Sequence, residues 1–298
     1  MSKISITGAA GFVGTNLQNY LKSSHEIVPM SVRHKPNQEF EVTADVVIHL
    51  AGKAHDLKKV SQPQDYYDAN YELTKQLFDG FINSEAKVFV FMSTVKAVAD
   101  EVKGILSEDA IPNPKTHYGI AKHQAEQYLL SHELPQGKRV YILRPCMIHG
   151  PGNKGNLNLL YKLVAKGLPW PLGAFENQRS FLSIENLCFV IKELLENNAI
   201  PSGIYQVADD ASLSTNKLIE LLGTSLNKKS RIFNIPSSWI KRGAKLGDYL
   251  HLPLNSERLQ KLTENYVVSN HKILTAMEKG LPVSTEQGLI RTFESFRE

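Results

Sequence analysis

Short apolar runs alternate with amphipathic segments through the first half of the chain. Ile4-Ser5-Ile6 is typical of a short buried strand. After a glycine turn, apolar residues recur at helical spacing at Val13, Leu17, Tyr20 and Leu21. Strand-like runs cover residues 26–30, 46–50, 87–92 and 140–143, and helical patterns over 66–82 and 118–130 separate the later ones. This alternation predicts an α/β fold, a Rossmann-type doubly wound parallel sheet with helices on both faces.

The pattern changes after Pro145. Glycine, asparagine and proline cluster through residues 150–173, and Gly203–Val207 is typical of one more sheet strand after a helical stretch over 187–195. From Ser212 onwards the pattern is helical, with prolines interrupting it. We therefore expect a smaller, mostly helical C-terminal lobe beside the sheet domain. The expected division is residues 1–150 plus about 183–210 for dinucleotide binding, and about 151–182 plus 211–298 for substrate binding.

Composition places the chain among soluble globular proteins. Of its 298 residues, 42% are hydrophobic and 21% are charged, which suits a protein with a sizeable core. The 34 basic and 30 acidic side chains leave a net charge of +4, and the lysines are scattered along the sequence. Such a distribution is too diffuse for a nucleic-acid footprint, but it does not oppose a small anionic substrate.

The sequence also bears on the cellular compartment. The apolar runs are far shorter than the roughly 20 residues that span a bilayer, and the chain begins without the pattern of a secretory signal. Cys146 and Cys188 make no disulfide framework and are predicted to be buried free thiols. No residue spacing indicates a metal site. We expect a cytoplasmic protein with neither a membrane nor a nucleic acid as partner.

Three glycines, Gly8, Gly11 and Gly14, lie where the first strand meets the first helix. Glycine permits a tight turn and close approach of a pyrophosphate, and the helix that begins near Phe12 and Val13 offers free N–H groups to that anion. The spacing G-x-x-G-x-x-G departs from G-x-G-x-x-G, and a glycine turn without a ligand is the alternative. The flanking strand and helix favour a dinucleotide site.

The end of the second strand bears on the choice of cofactor. Sites for NAD usually carry an acidic residue there to hold the ribose hydroxyls, and residues 29–34 contain none. Ser31 and Arg33 could instead receive a 2′-phosphate, which favours NADP; the alternative is that Arg33 is a solvated loop residue. The expected cofactor is NAD or NADP, with NADP favoured.

Tyr118 and Lys122 are spaced to share one face of a predicted helix. A nearby ammonium favours the phenolate, so Lys122 is expected to lower the Tyr118 pKa from about 10 and make the phenol a usable acid or base. Taken alone, a Tyr-x-x-x-Lys pair is a weak signal, because both residues are common on amphipathic helices.

Four motifs together resemble the extended short-chain dehydrogenase/reductase family. They are Thr-Gly-Ala-Ala-Gly-Phe-Val-Gly at 7–14, His49-Leu50-Ala51-Gly52, Met92-Ser93-Thr94 and Tyr118-x-x-x-Lys122. The order and spacing match the family over most of the chain. Segments 143–156, 166–173 and 179–187 are similar to the bacterial UDP-sugar 4-epimerases and 4-keto-reductases of surface-polysaccharide synthesis.

The resemblance implies a catalytic triad of Thr94, Tyr118 and Lys122. Tyr118 would exchange a proton with the sugar C4 oxygen, Thr94 would hydrogen-bond that oxygen, and Lys122 would bind the nicotinamide ribose. The implied cofactor contacts are Gly8, Gly11, Phe12, Val13, Gly14, Leu50, Ala51, Gly52, Asn70, Ser93, Tyr118, Lys122 and Pro145, in addition to Ser31 and Arg33. The implied substrate is a UDP-sugar, held by Thr94, by Asn156 near the diphosphate or nucleotide, and by Arg179 on the diphosphate. Homodimers are frequent in the family.

Three departures from the family pattern narrow the function. Val95 and Lys96 follow Thr94 where sugar 4,6-dehydratases carry an acidic pair, so dehydration is not expected. The stretch between Arg33 and Asp45 is too short for a full second crossover helix and third strand, which must be truncated or missing. Ala99-Asp100 replaces the usual aromatic–glycine pair.

Two activities and one alternative remain open on the sequence. The preferred function is hydride transfer at C4 of a UDP-hexose or UDP-N-acetylhexosamine, either as a 4-epimerase or as a 4-keto-reductase. The alternative is a non-catalytic dinucleotide-binding regulator or scaffold with the same fold. Retention of Thr94, Tyr118 and Lys122 favours the enzyme.

Overall fold

A computed structural model describes residues 1–54, 62–153, 155–250 and 255–297. Its strands are β1 (Lys3–Thr7), β2 (Glu26–Met30), β3 (Val46–His49), β4 (Val88–Met92), β5 (Ile105–Leu106), β6 (Arg139–Pro145), β7 (Met147–His149), β8 (Arg179–Ser183), β9 (Gly203–Val207), β10 (Ser212–Leu213) and β11 (Val267–Val268). Six of them form a parallel sheet in the order β2-β1-β3-β4-β6-β9. This sheet confirms the predicted fold class.

Helices cover both faces of this sheet and build most of the C-terminal lobe. They are α1 (Phe12–Leu21), α2 (Pro63–Tyr67), α3 (Leu73–Ile82), α4 (His117–Leu130), α5 (Asn156–Ala165), α6 (Ile184–Glu196), α7 (Thr215–Ser225), α8 (Ser237–Leu250), α9 (Ser256–Thr263), α10 (His271–Met277) and α11 (Thr285–Glu294). A π-helical turn over Asp68–Glu72 joins α2 to α3.

Strand β2 forms one edge of the sheet. Its Pro29 has no N–H to donate, which suits an edge position. Between Met30 and Val46 the chain forms neither helix nor strand, so the second crossover helix is missing as the short spacing predicts.

Among the residues that the structure describes, buried apolar side chains form three clusters. One cluster lies between the sheet and the side that carries α1 and α6, and includes Ile4, Leu17 and Leu187. A second lies on the opposite face, where Phe78 of α3 and Leu129 of α4 pack. The third binds α5, α7 and α11 together in the C-terminal lobe. The residue boundaries predicted between the two lobes stay a prediction.

Both cysteines are buried free thiols, as predicted. Within the described ranges, the helices are too short or too polar for any of them to traverse a lipid bilayer.

Candidate active site

The glycine turn forms a close-packed cradle at the carboxyl end of β1. Gly8 has a φ of +67°, and a Cβ atom there would lie 2.8 Å from the backbone nitrogen of Ala51. A Cβ atom on Gly14 would lie 2.4 Å from the Gly8 carbonyl oxygen. Helix α1 begins at Phe12, directly after this turn, so its first N–H groups have no partner within the helix. The turn therefore has the shape and donors that a pyrophosphate needs.

A buried chain of hydrogen bonds fixes this turn relative to the next strand. The Thr7 hydroxyl accepts the N–H groups of Leu50 and Ala51 at 3.2 and 3.1 Å, so its own proton is left for Nδ1 of His49, 2.7 Å away. The other ring nitrogen of His49 then donates to the Thr74 hydroxyl at 3.0 Å. Burial, and then the charge of Lys122, hold the pKa of His49 well below its usual value. His49 is thus a neutral linker in this chain.

Asn70 lies in the π-helical turn and ties this helix to the segment after β3. Its amide nitrogen donates to the carbonyl oxygens of Lys53 and Tyr66 at 3.0 and 2.9 Å, and its amide oxygen accepts the Lys53 N–H at 3.1 Å. A Cβ atom on Gly52 would lie 2.6 Å from that amide oxygen and 3.2 Å from Nζ of Lys122. The π turn contains one more residue than an α-helical turn, and this places the Asn70 side chain next to Gly52. The 3.6-residue periodicity of an α-helix does not predict that position.

The structure brings Thr94 and Tyr118 together. Thr94 follows β4 and Tyr118 lies in the first turn of α4, and their side chains are close enough for Thr94 to lower the Tyr118 pKa through hydrogen bonding. The Thr94 hydroxyl oxygen also accepts the backbone N–H of Lys96 at 3.2 Å. Burial raises the pKa of Tyr118 to about 12, and the hydrogen bonding with Thr94 opposes that rise.

The ammonium of Lys122 lies in the interior beside this pair. Its Nζ donates to the carbonyl oxygen of Met92 at 2.8 Å and lies 4.6 Å from the centre of the Phe91 ring. Burial lowers the pKa of Lys122 to about 7, and the charge of Glu126 opposes that shift. The expectation that Lys122 lowers the Tyr118 pKa is therefore wrong for the protein without a cofactor, because desolvation of the phenol dominates.

A buried ion pair lies behind the catalytic cluster and was not predicted from the sequence. Arg144 of β6 donates to both carboxylate oxygens of Glu126, at 2.9 and 2.5 Å. The hydroxyl of Ser93 donates to the same carboxylate. Burial alone would raise the pKa of Glu126, but these bonds lower it. The Ser93 side chain is taken up by this bond, and its contact with the cofactor stays a prediction. Glu126 lies one helical turn after Lys122, which is the signal in the sequence that could have indicated it.

The remaining predicted cofactor residues border the same edge of the sheet. Phe12 and Val13 begin α1 and pack against the first apolar cluster, and Pro145 ends β6. Ser31 and Arg33 follow β2 and are exposed, so both are accessible to a ligand beside the glycine turn. Their roles stay predictions.

The predicted substrate residues lie on the C-terminal side. Asn156 is the first residue of α5, and its side chain lies outside the described part of the structure. Arg179 begins β8; its guanidinium donates to the carbonyl oxygen of Lys261 at 2.7 Å and lies 3.6 Å from a carboxylate oxygen of Glu264. Arg179 therefore joins β8 to the end of α9, and its role as a diphosphate ligand stays a prediction.

Lys96 is a second basic side chain on this side of Thr94. Its Nζ donates to the carbonyl oxygen of Asp100 at 2.7 Å and lies 4.3 Å from the centre of the Tyr266 ring. Burial lowers the pKa of both Lys96 and Arg179, and Lys96 also feels the Arg179 charge. The charge of Glu264 acts on both cations, so Lys96 and Arg179 lie in surroundings that carry charges of both signs.

Comparison with known proteins places the chain in a family. Residues 4–208 match the NAD dependent epimerase/dehydratase family. The chain is 29% identical to a UDP-glucose 4-epimerase of Vibrio cholerae over 98% of this chain and 95% of that protein. It is 30% identical to the N-acetyl-alpha-D-glucosaminyl-diphospho-ditrans,octacis-undecaprenol 4-epimerase of Escherichia coli O157:H7, over 78% of this chain and 74% of that one. The crystal structure of RMD from Pseudomonas aeruginosa complexed with NADPH superposes with a TM-score of 0.76 at 22% identity, covering 99% and 98% of the two chains.

The protein belongs to the NAD dependent epimerase/dehydratase family and is an enzyme of the sugar 4-epimerase and reductase class. The predicted family, enzyme class and nicotinamide dinucleotide cofactor are thereby confirmed. The comparisons do not separate NAD from NADP. The scaffold alternative has no support among these relatives.

Proposed function

We propose that the protein transfers a hydride at C4 of a hexose or N-acetylhexosamine that is linked to UDP, with Thr94, Tyr118 and Lys122 as catalytic residues. The observation that carries the proposal is the proximity of the Thr94 and Tyr118 side chains, with Lys122 buried one helical turn after Tyr118. The glycine cradle and the free N–H groups of α1 fit a nicotinamide dinucleotide, which when bound supplies the hydride acceptor or donor.

Proton movement falls to the residues of this cluster. A carbinol oxygen at C4 that replaces or shares the Thr94 contact would lie within reach of the Tyr118 phenol. Tyr118 accepts the hydroxyl proton when C4 is oxidised and returns a proton when C4 is reduced. Because its pKa is about 12, Tyr118 carries its proton near neutral pH and can accept another only after the bound state stabilises the phenolate. Charged Lys122 and a hydrogen bond from Thr94 supply that stabilisation together. Tyr118 therefore acts as a base only when the dinucleotide and the sugar are both bound.

The substrate half of the proposal is supported by the basic side chains near Thr94. Lys96 lies two residues after Thr94 and its pKa responds to the charge of Arg179, and this pair of cations fits a sugar diphosphate. The names of the two relatives share that group, since one acts on UDP-glucose and the other on a sugar diphosphate of undecaprenol. A polyprenyl-linked sugar diphosphate is therefore the second candidate substrate. A cytoplasmic location and a homodimer stay predictions.

The fate of the hydrogen at C4 distinguishes a 4-epimerase from a 4-keto-reductase. The enzyme is incubated with UDP-glucose or UDP-N-acetylglucosamine deuterated at C4, and the product is analysed by NMR. An epimerase gives the C4 epimer with deuterium retained and no net change in the dinucleotide. A reductase leaves these sugars unchanged, but it moves deuterium from labelled NADPH to C4 of a 4-keto sugar. Failure of both reactions, with the dinucleotide bound, would contradict the proposal.

The preference for NADP is tested at Arg33. If its exposed guanidinium holds a 2′-phosphate, Arg33→Ala weakens NADPH binding about 10- to 100-fold, the range for a lost charged hydrogen bond. Binding of NADH should change by less than about threefold, since NADH lacks that phosphate. Titration calorimetry measures both, and equal losses for the two dinucleotides would contradict the assignment.

A further inference from the structure

The outward face of α8 carries large apolar side chains in water. Trp239, Leu246, Tyr249 and Leu250 are 70%, 56%, 82% and 52% exposed. Trp239, Leu246 and Leu250 follow the i, i+7, i+11 spacing of one helical stripe, and Tyr249 borders it. Ala244 and Gly247 on the inner side of α8 are buried. The four exposed side chains, called the α8 stripe below, form an apolar patch of the kind that marks a docking surface.

Basic side chains are concentrated in the segment that contains the α8 stripe. Residues 226–250 contain one acid, Asp248, and six exposed cations: Lys228, Lys229, Arg231, Lys241, Arg242 and Lys245. The rest of the chain holds 28 of the 34 basic and 29 of the 30 acidic side chains. The expectation of scattered charge thus holds outside this segment, whereas the segment itself carries a net charge of +5.

We infer that the α8 stripe and its cations form a docking surface for an anionic membrane. An indole and a phenol suit the headgroup boundary, leucines are stabilised in the acyl layer beneath it, and cations pair with lipid phosphates. A second copy of the same surface would meet like charge. A nucleic acid would neutralise the cations but would leave the leucines in water. The bilayer surface satisfies both sets of side chains.

The position of α8 connects this surface to the candidate active site. Helix α8 packs against α9, and α9 ends at the residues bonded to Arg179. Gln260 of α9 also donates to a carboxylate oxygen of Glu101, 2.8 Å away, in the segment between β4 and β5. Docking would therefore hold the substrate side of the protein near the lipid. Docking would give the active site access to a polyprenyl-linked sugar diphosphate in the membrane. That consequence rests on the proposed function, whereas the docking itself is independent of it.

Vesicle binding tests the inference without any substrate. The protein is mixed with phosphatidylcholine vesicles that contain or lack phosphatidylglycerol, and binding is followed by cosedimentation and tryptophan emission. Trp170 is only 3% exposed and its indole N–H donates to Asn216, so a blue shift reports Trp239. We expect binding and a blue shift with the anionic vesicles, and loss of both at high salt.

Substitutions then assign the binding to this face. Lys245→Glu should weaken it about fivefold or more, and the pair Trp239→Ser and Leu246→Ser about tenfold or more. Ile111→Ser, at an apolar side chain 89% exposed elsewhere, is the matched control and should bind as wild type. Circular dichroism and thermal unfolding confirm that each variant is folded.

Three results would overturn the inference: equal binding to both kinds of vesicle, undiminished binding by the folded α8 variants, or no binding by the wild type. A dimer in sedimentation analysis that the α8 variants abolish, without vesicle binding, would assign the face to self-association instead. None of these results bears on turnover, so they leave the proposed reaction intact.

Discussion

Replacing Lys122 with methionine removes a buried ammonium while it keeps an unbranched side chain of similar length. In the folded protein without cofactor, burial lowers the Lys122 pKa to about 7, against 10.5 for a solvated lysine. Between these two values the unfolded chain holds a proton that the folded chain has lost. Stability therefore rises with pH across this window, and the lysine is most destabilising at its lower end.

The size of the effect follows from the two pKa values. At pH 7 the shift corresponds to about 4 kcal/mol of lost stability, and at pH 10 to about 1 kcal/mol. The substitution also removes the hydrogen bond to the carbonyl oxygen of Met92, which offsets the gain by about 1 kcal/mol. We expect Lys122→Met to raise the free energy of unfolding at pH 7 by about 3 kcal/mol and to give little or no gain at pH 10.

Urea unfolding of wild type and variant at pH 7, 8.5 and 10 measures this difference. Groups common to both proteins cancel in the comparison at each pH. Lys162→Met, at an exposed position of α5, is the matched control and should change stability by less than about 0.5 kcal/mol at any of these pH values. A stability difference for Lys122→Met that does not change with pH, or a variant less stable than wild type at pH 7, would refute the reasoning.

Two further substitutions test the framework around the cluster. Glu126→Gln leaves the Arg144 guanidinium buried without its carboxylate, so the free energy of unfolding should fall by about 3–5 kcal/mol. The control is Glu72→Gln, in the more exposed pair with Lys75, which should lower the free energy of unfolding by less than about 1 kcal/mol. Equal losses in urea titrations would contradict this. Gly52→Ala should weaken dinucleotide binding at least about tenfold, because the added methyl group would displace Asn70. A methyl group on Gly243 would meet open space, so Gly243→Ala should bind the dinucleotide as the wild type does, as measured by calorimetry.

The elements with strong local periodicity could be predicted from the sequence. Strands β2 and β9 and the long helix α4 lie within one residue of their expected bounds, because apolar runs and amphipathic patterns are local properties. The missing second crossover helix was also predictable, since residues 31–45 are too few to build it. Proximity of Thr94 to Tyr118 followed from the family resemblance rather than from any local pattern.

Features that depend on tertiary burial could not be predicted in this way. The pKa directions of Tyr118 and Lys122 are set by the desolvation of each group, which helical spacing does not report. The ion pair of Glu126 with Arg144 joins residues on α4 and β6, and no local pattern in the sequence indicates that Arg144 is the partner of Glu126. The π turn at Asn70 depends on one inserted residue within an otherwise regular helix.

Turnover by Tyr118→Phe is the most direct test of the proposed role of the Thr94, Tyr118 and Lys122 cluster. The phenylalanine keeps the ring and removes the acid and base, so turnover should fall about 10²- to 10⁴-fold with dinucleotide affinity nearly unchanged. Tyr128→Phe makes the same change on the same helix, at a phenol that donates to Asp79, and should keep wild-type turnover. Wild-type turnover by Tyr118→Phe would contradict the account.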